Sequence, residues 1–187
     1  MIPSLNEVTS TARKAAKGVG YTWGHADDAG RATAWLWGHG IDGITALSQL
    51  LKNTEPSTCP IRIGTRFCDA PPSTAITFPE VQSPILLLSF AAELAKIIEA
   101  DVALTIGEIP YSASVKGMFG QTEGHPVRAK VTLALAPATG PHLALVSRRT
   151  APTAAWEALN VFAHKTYAPA TEASRLAGAG AGVTDND

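Results

Sequence analysis

The sequence predicts an α+β fold: a lobe of three N-terminal helices, a mainly antiparallel sheet packed on one or two core helices, and an extended, docked C-terminal tail. Three observations predict it. Apolar residues recur at helical spacing in three segments before residue 53, strict apolar/polar alternation runs through residues 127–135, and the strand-like runs around that stretch are joined by short links. At 187 residues and 45% hydrophobic, the chain can build one sizeable core and is short for two. A single domain over 1–187 is expected, with the lobe at 1–53, the α+β core at 58–167 and the tail at 168–187.

Ser4-Leu5-Asn6-Glu7 has the form of a capping box, so the first helix is expected to begin at Leu5. Leu5, Val8, Ala12 and Val19 mark its apolar face, Arg13, Lys14 and Lys17 suit its C-terminal dipole, and Gly18 and Gly20 end it. The second helix starts in the aromatic connector 21–25 with Asp27 and Asp28 in its first turn, Asp27 pairing with Arg31. Its inward face of Ala26, Gly30, Thr33 and Trp37 is mostly small, which allows close helix approach. Asp42 caps a third helix with Ile44, Leu47, Leu50 and Leu51 on one face.

Beyond a turn-rich link, Ile61, Ile63, Thr65 and Phe67 alternate with Arg62, Gly64, Arg66 and Cys68, the pattern of a half-buried strand. Pro71, Pro72 and Pro79 break the next stretch, and Ser83-Pro84 opens a core helix over 85–100 whose Glu93, Lys96 and Glu99 share one side. Residues 85–88 also fit a buried strand. Strands follow at 101–106, 111–119, 127–135 and 142–148, and their short links favour a meander. Thr153 caps a last helix that carries Trp156, Leu159, Phe162 and Ala163 inward and stops before Pro169.

A net charge of -1 and a pI near 6.5 argue against nucleic acid or an anionic membrane as partner. No apolar run approaches the roughly 20 residues that cross a bilayer. Cys59 and Cys68 are the only cysteines, which points to a reduced, cytoplasmic protein without a disulfide or zinc site. The common nucleotide, hydrolase and metalloprotease motifs are missing, so no cofactor and no metal is expected.

What remains is a dense spot at Tyr21, Trp23 and His25, and a tail with Glu172, Ser174, Arg175, Asp185 and Asn186 beyond the alternating Gly178, Gly180 and Gly182. His25, Glu172, Ser174 and Asp185 are the candidate catalytic groups, because an imidazole and carboxylates near neutrality suit acid–base chemistry. Tyr21, Trp23, Arg148, Arg149, Arg175 and Asn186 are candidate binding groups, with the arginines suited to a small carboxylate ligand. The expected function is a small-molecule metabolic enzyme, an acid–base lyase, isomerase or hydrolase, with its site between the connector and the tail. The alternative is a non-catalytic subunit that uses the same two elements as a homo-oligomer contact.

The opening Ser4-Leu5-Asn6-Glu7-Val8, the connector from Gly20 through Tyr21-Thr22-Trp23-Gly24-His25 to Gly30, and the close from Thr166 through Glu172 to Thr184-Asp185-Asn186-Asp187 resemble a bacterial family known only as a domain of unknown function. The resemblance spans nearly the whole length and is strongest at both ends. It implies a bacterial, stand-alone, full-length chain, and brings no activity or catalytic residue with it.

Overall fold

A computed structural model describes residues 1–53, 55–146 and 149–166. The architecture is α+β: helices come first, followed by a five-stranded antiparallel sheet and further helices. Helix α1, Leu5–Gly18, opens with the capping box, in which the Glu7 amide donates to Ser4 Oγ at 3.2 Å and the Ser4 amide donates to Glu7 Oε2 at 2.7 Å. Helix α2, Trp23–Gly38, is capped by Thr22 and packs closely on α1, since a Cβ at Gly30 would lie 2.8 Å from the Thr9 carbonyl oxygen. Helix α3, Gly43–Lys52, starts under Asp42, whose Oδ1 accepts from the Thr45 amide at 3.0 Å.

The expected partner of Asp27 is different. Arg31 pairs with Asp28, while Asp27 reaches across to Arg13 Nε of α1 at 2.6 Å. The helix begins four residues earlier than Asp27, at Trp23, so the two aspartates stand in its second turn rather than its first.

The strand expected at 61–68 is helix α4, Pro60–Asp69, so the lobe holds four helices. Ile61, Gly64 and Phe67 recur every three residues, and with Ile63 they supply the buried face. Over so short a run the period-two and helical patterns coincide, and Pro60 at the first helical position favours the helix. Gly64 lets α4 lie against the ring of Phe90, which meets Phe67 edge-on with centroids 6.4 Å apart.

Strand β1, Ile76–Gln82, runs through Pro79 where a broken stretch was expected. Its pairing shifts between Phe78 and Val81, and it lies at the sheet edge. An edge strand with a bulge tolerates the missing amide proton that a central strand could not. Pro84–Leu86 form a 3-10 turn leading into α5, Leu87–Ile97, so residues 85–88 are helical and no strand. Ser83 makes no side-chain cap there.

Strands β2, Val102–Ile106, β3, Ile109–Ser114, and β4, Gly117–Phe119, form a meander; the run expected at 111–119 is thus the end of one strand and all of the next. Strand β5, Arg128–Leu135, breaks the meander by inserting between β1 and β2 to give the order β1-β5-β2-β3-β4. In place of the strand expected at 142–148, the described residues show one bridge, His142 to Phe119. Helix α6, Thr153–His164, has Pro152 as its N-cap, with Thr153 as its first residue, and packs on α1 and α3.

Tyr111, Leu104 and Leu133 stand side by side across β3, β2 and β5, all on the buried face that α5 covers. Leu36, Leu47, Leu50, Leu88 and Leu94 are fully buried in the same core. Each contributes on the order of 2 kcal/mol through area removed from water.

Candidate functional site

The connector residues serve packing and capping. Tyr21 is buried, its hydroxyl 3.2 Å from Cys59 Sγ, and burial first, then the neighbouring Cys59, pushes its phenol well above the ordinary range. Trp23 is 53% exposed, with Arg13 and Lys17 at 5.1 and 5.0 Å from its ring centroid. His25 lies in the first turn of α2, where its amide and Nδ1 both meet Thr22 Oγ1, at 3.3 and 3.2 Å. A small cleft of about 80 Å³ holds Tyr21 beside Cys59 and Arg62, and neither Trp23 nor His25 lines it. Arg148, Glu172, Ser174, Arg175, Asp185 and Asn186 lie outside the described residues, as does the docking expected of the tail. Arg149 is described, with its guanidinium carbon 4.5 Å from the centroid of Trp37.

A different constellation carries the chemistry. A cleft of about 170 Å³ is walled by Asp42, the N-cap of α3, by Thr45 and Gln49 of that helix, by Ser83 after β1, and by His125 in the loop before β5. His125 Nδ1 lies 2.8 Å from the Tyr111 hydroxyl, which fixes the ring, while Nε2 is buried and has no hydrogen-bond partner. Ser83 Oγ and the adjacent Gln82 Oε1 are likewise buried and unpartnered. A buried polar atom without a partner costs about 1–3 kcal/mol, so His125 Nε2 and Ser83 Oγ, from two residues of one cleft wall, mark a place where the protein holds polar groups ready for something else.

The backbone supports that conclusion. Ser83 has φ 43° and ψ 52°, the left-handed region that a residue with a side chain seldom enters. Hydrogen bonds from the Ser83 amide to the Val127 carbonyl at 2.7 Å and from the Leu86 amide to the Ser83 carbonyl at 3.1 Å hold it there.

Burial lowers the pKa of His125 against smaller opposing contributions from the Thr122 backbone and Glu123, and burial pushes the Tyr111 phenol up to about 12. Near neutral pH the pair is therefore an uncharged imidazole beside a protonated phenol. With Nδ1–H donating to the phenol oxygen, Nε2 presents a lone pair and is a base; with the phenol donating to Nδ1, Nε2 carries the proton and is an acid. Cys68, by contrast, is held as a thiol, because burial first and then Glu93, Asp69 and Asp28 push it up to about 12. No group of three or more His, Cys, Asp or Glu side chains among the described residues is placed to hold a metal ion.

The depressed pKa of His125 has a measurable consequence. Below the ordinary histidine value near 6.5 the unfolded chain binds a proton that the folded chain refuses, so stability falls as pH drops through that value toward the lower folded one. Urea unfolding from pH 7.5 to 5 should show a wild-type loss that is reduced in His125→Gln. Equal pH slopes in the two proteins would contradict the assignment.

Sequence spacing ranks His125 below His25, with His39, His142 and His164, since its partner Tyr111 lies on another element and Ser83 reads as an ordinary helix cap. Gly124 and Pro126, on either side of it, mark a link between strands and no more.

Residues 3–75 match the family described as Protein of unknown function (DUF3726). The matched stretch covers α1 to α4 and includes Asp42, Thr45 and Gln49 of the cleft, whereas Ser83, Tyr111 and His125 lie beyond it. The resemblance seen at the opening of the chain falls within that match, and the one seen at its close falls outside it. No curated protein and no solved structure matches the chain. No helix among the described residues is long and apolar enough to cross a membrane.

Proposed function

We propose that the chain is a small-molecule enzyme whose acid–base chemistry runs in the cleft at His125 rather than between the connector and the tail. The observation that carries this is the bare, buried Nε2 of an imidazole fixed through Nδ1 by Tyr111. Held neutral by burial, Nε2 takes a proton from a bound molecule and later returns it, and Ser83 Oγ donates to the oxygen on which charge develops. The reaction is proton abstraction next to a carbonyl, the step shared by many isomerases and lyases. Among the described residues that line the cleft there is no lysine or arginine, and Asp42 is one of them. A neutral carbonyl compound therefore fits this cleft better than the carboxylate expected from the arginines of the sequence.

Solvent exchange tests the proposal without a known substrate. The protein is incubated in D2O with small ketones, aldehydes and lactones, and proton NMR follows loss of the C–H signal next to the carbonyl. Wild type should accelerate exchange for part of the panel, His125→Gln should lose at least about 100-fold of that rate, as expected for a general base, and Ser83→Ala should lose less. Exchange that is unaffected by His125→Gln would overturn the proposal.

A further inference from the structure

We propose, on the basis of the proton transfer assigned to His125, that the cleft takes a small, unphosphorylated hydroxyaldehyde or hydroxyketone and interchanges its carbonyl and its hydroxyl. What carries this is the polar stripe that α3 and its cap lend to the cleft, Asp42, Thr45 and Gln49, all of which line it together with Ser83 and His125.

Spacing brings the three together. Residues three and four apart share a helix face, so Asp42, Thr45 and Gln49 stand in one half-buried row, while Ile44, Leu47 and Leu50 take the other side of α3 into the core. Asp42 Oδ1 accepts from the Thr45 amide at 3.0 Å. The second oxygen of Asp42 and the side-chain amide of Gln49 have no hydrogen-bond or ion-pair partner among the described residues. A carboxylate oxygen accepts and an amide both donates and accepts, so together they match a hydroxyl, which does both. With no lysine or arginine among the described lining residues, nothing there pairs with a phosphate.

Ser83, only 2% exposed, and His125 bring an unpartnered Oγ and Nε2 to the same cleft from two other segments. Its volume of about 170 Å³ equals the share of about six water molecules at about 30 Å³ each, which suits a molecule of about three carbons with its oxygens. Asp42 and Gln49 hold the hydroxyl, and Nε2 takes the proton from the carbon that carries it. The electron pair of that C–H bond becomes a carbon–carbon double bond, and the carbonyl pair moves onto its oxygen, to which Ser83 Oγ donates. The hydroxyl proton passes to that oxygen, a new carbonyl forms where the hydroxyl stood, and Nε2 returns its proton to the former carbonyl carbon. Substrate and product are isomers, so no oxidant, reductant or second reactant is required.

Hydroxyacetone and butanone, which differ by a hydroxyl in place of a methyl, are the probes for exchange in D2O, each rate being divided by that of the same compound without protein. Wild type should accelerate hydroxyacetone at least about tenfold more than butanone, because a site built to bond a hydroxyl rejects the analogue that lacks it, and should convert glyceraldehyde into dihydroxyacetone. Asparagine caps a helix as well as aspartate does, so Asp42→Asn keeps α3. Asp42→Asn and Gln49→Met should each cut the preference for hydroxyacetone at least about fivefold, whereas a merely structural role would slow both ketones alike. Gln49→Met carries the test if Asp42→Asn fails to fold. Equal acceleration of both ketones, abolished in His125→Gln, would overturn the hydroxyl recognition and leave the base standing. So would a preference that the variants keep, failure to form dihydroxyacetone, or greater acceleration of aminoacetone, which would make an ammonium the group that Asp42 holds. Hydroxyacetone exchange that is indifferent to His125→Gln would remove the base itself.

Discussion

Gly18→Ala should lower the melting temperature by about 5–10 °C, on the scale of roughly 2–4 °C per kcal/mol for a chain of this size. Helix preference alone predicts the opposite, because alanine is favoured over glycine inside a helix by about 1 kcal/mol. Packing decides the sign. A Cβ on Gly18 would lie 2.0 Å from the Phe162 carbonyl oxygen and 3.3 Å from Lys165 Cβ. The obstacle is backbone of α6, which cannot turn away as a flexible side chain can, so the whole helix must shift. That shift would disturb Trp156, Leu159 and Ala163, which α6 buries. Overpacking typically costs about 1–3 kcal/mol, and contact with backbone belongs at the upper end or beyond. Gly24→Ala is the control, since no atom lies within 4 Å of its Cβ position; it should leave the melting temperature unchanged or raise it slightly. A Gly18→Ala protein as stable as wild type would mean that α1 and α6 are not packed as described.

Such contacts mark the boundary of what local pattern reveals. Ser4 with Glu7 and Asp42 before Ile44 announced two helix starts correctly, because a cap acts within four residues of itself. The alternation of Ile61, Ile63, Thr65 and Phe67 misled, since the face they share depends on the neighbour, and that neighbour is Phe90 of α5. Pro79 likewise hid β1, because its acceptability turns on whether the strand lies at an edge. The site was less legible still. Tyr111 and His125 meet through the fold of a strand and a loop, and the strained conformation of Ser83 leaves no trace in the identity of its neighbours.

Gly120→Ala is expected to disable the His125 cleft from outside it. At φ +148° alanine is strained, by about 1–3 kcal/mol, and its Cβ would meet Tyr111 Cδ1 at 2.3 Å. Tyr111 has to move, and its hydroxyl leaves His125 Nδ1. An imidazole freed from that bond and loosened toward water regains a titration near the ordinary 6.5. Proton NMR of the His125 ring should therefore show its pKa rising in Gly120→Ala, with deuterium exchange falling at least about tenfold, as for a displaced general base. Tyr111→Phe removes the hydrogen bond without the clash and should reduce exchange with little change in fold. If the His125 titration is the same in Gly120→Ala as in wild type, the ring does not depend on Tyr111.

The insertion of β5 between β1 and β2 also shapes how the chain emerges from a ribosome. Strand β1 pairs with β5 alone, so Gln82 waits for Arg128 while α5 and the β2-β3-β4 meander are synthesised. A nascent strand left open for that long invites pairing with a neighbouring chain. Pro79 withholds one amide proton from any such partner, and the irregular register at Phe78 and Val81 fits β5 but no straight strand. Pro79 and the irregular register make an open β1 a poorer template for a second copy of the chain than a regular strand would be.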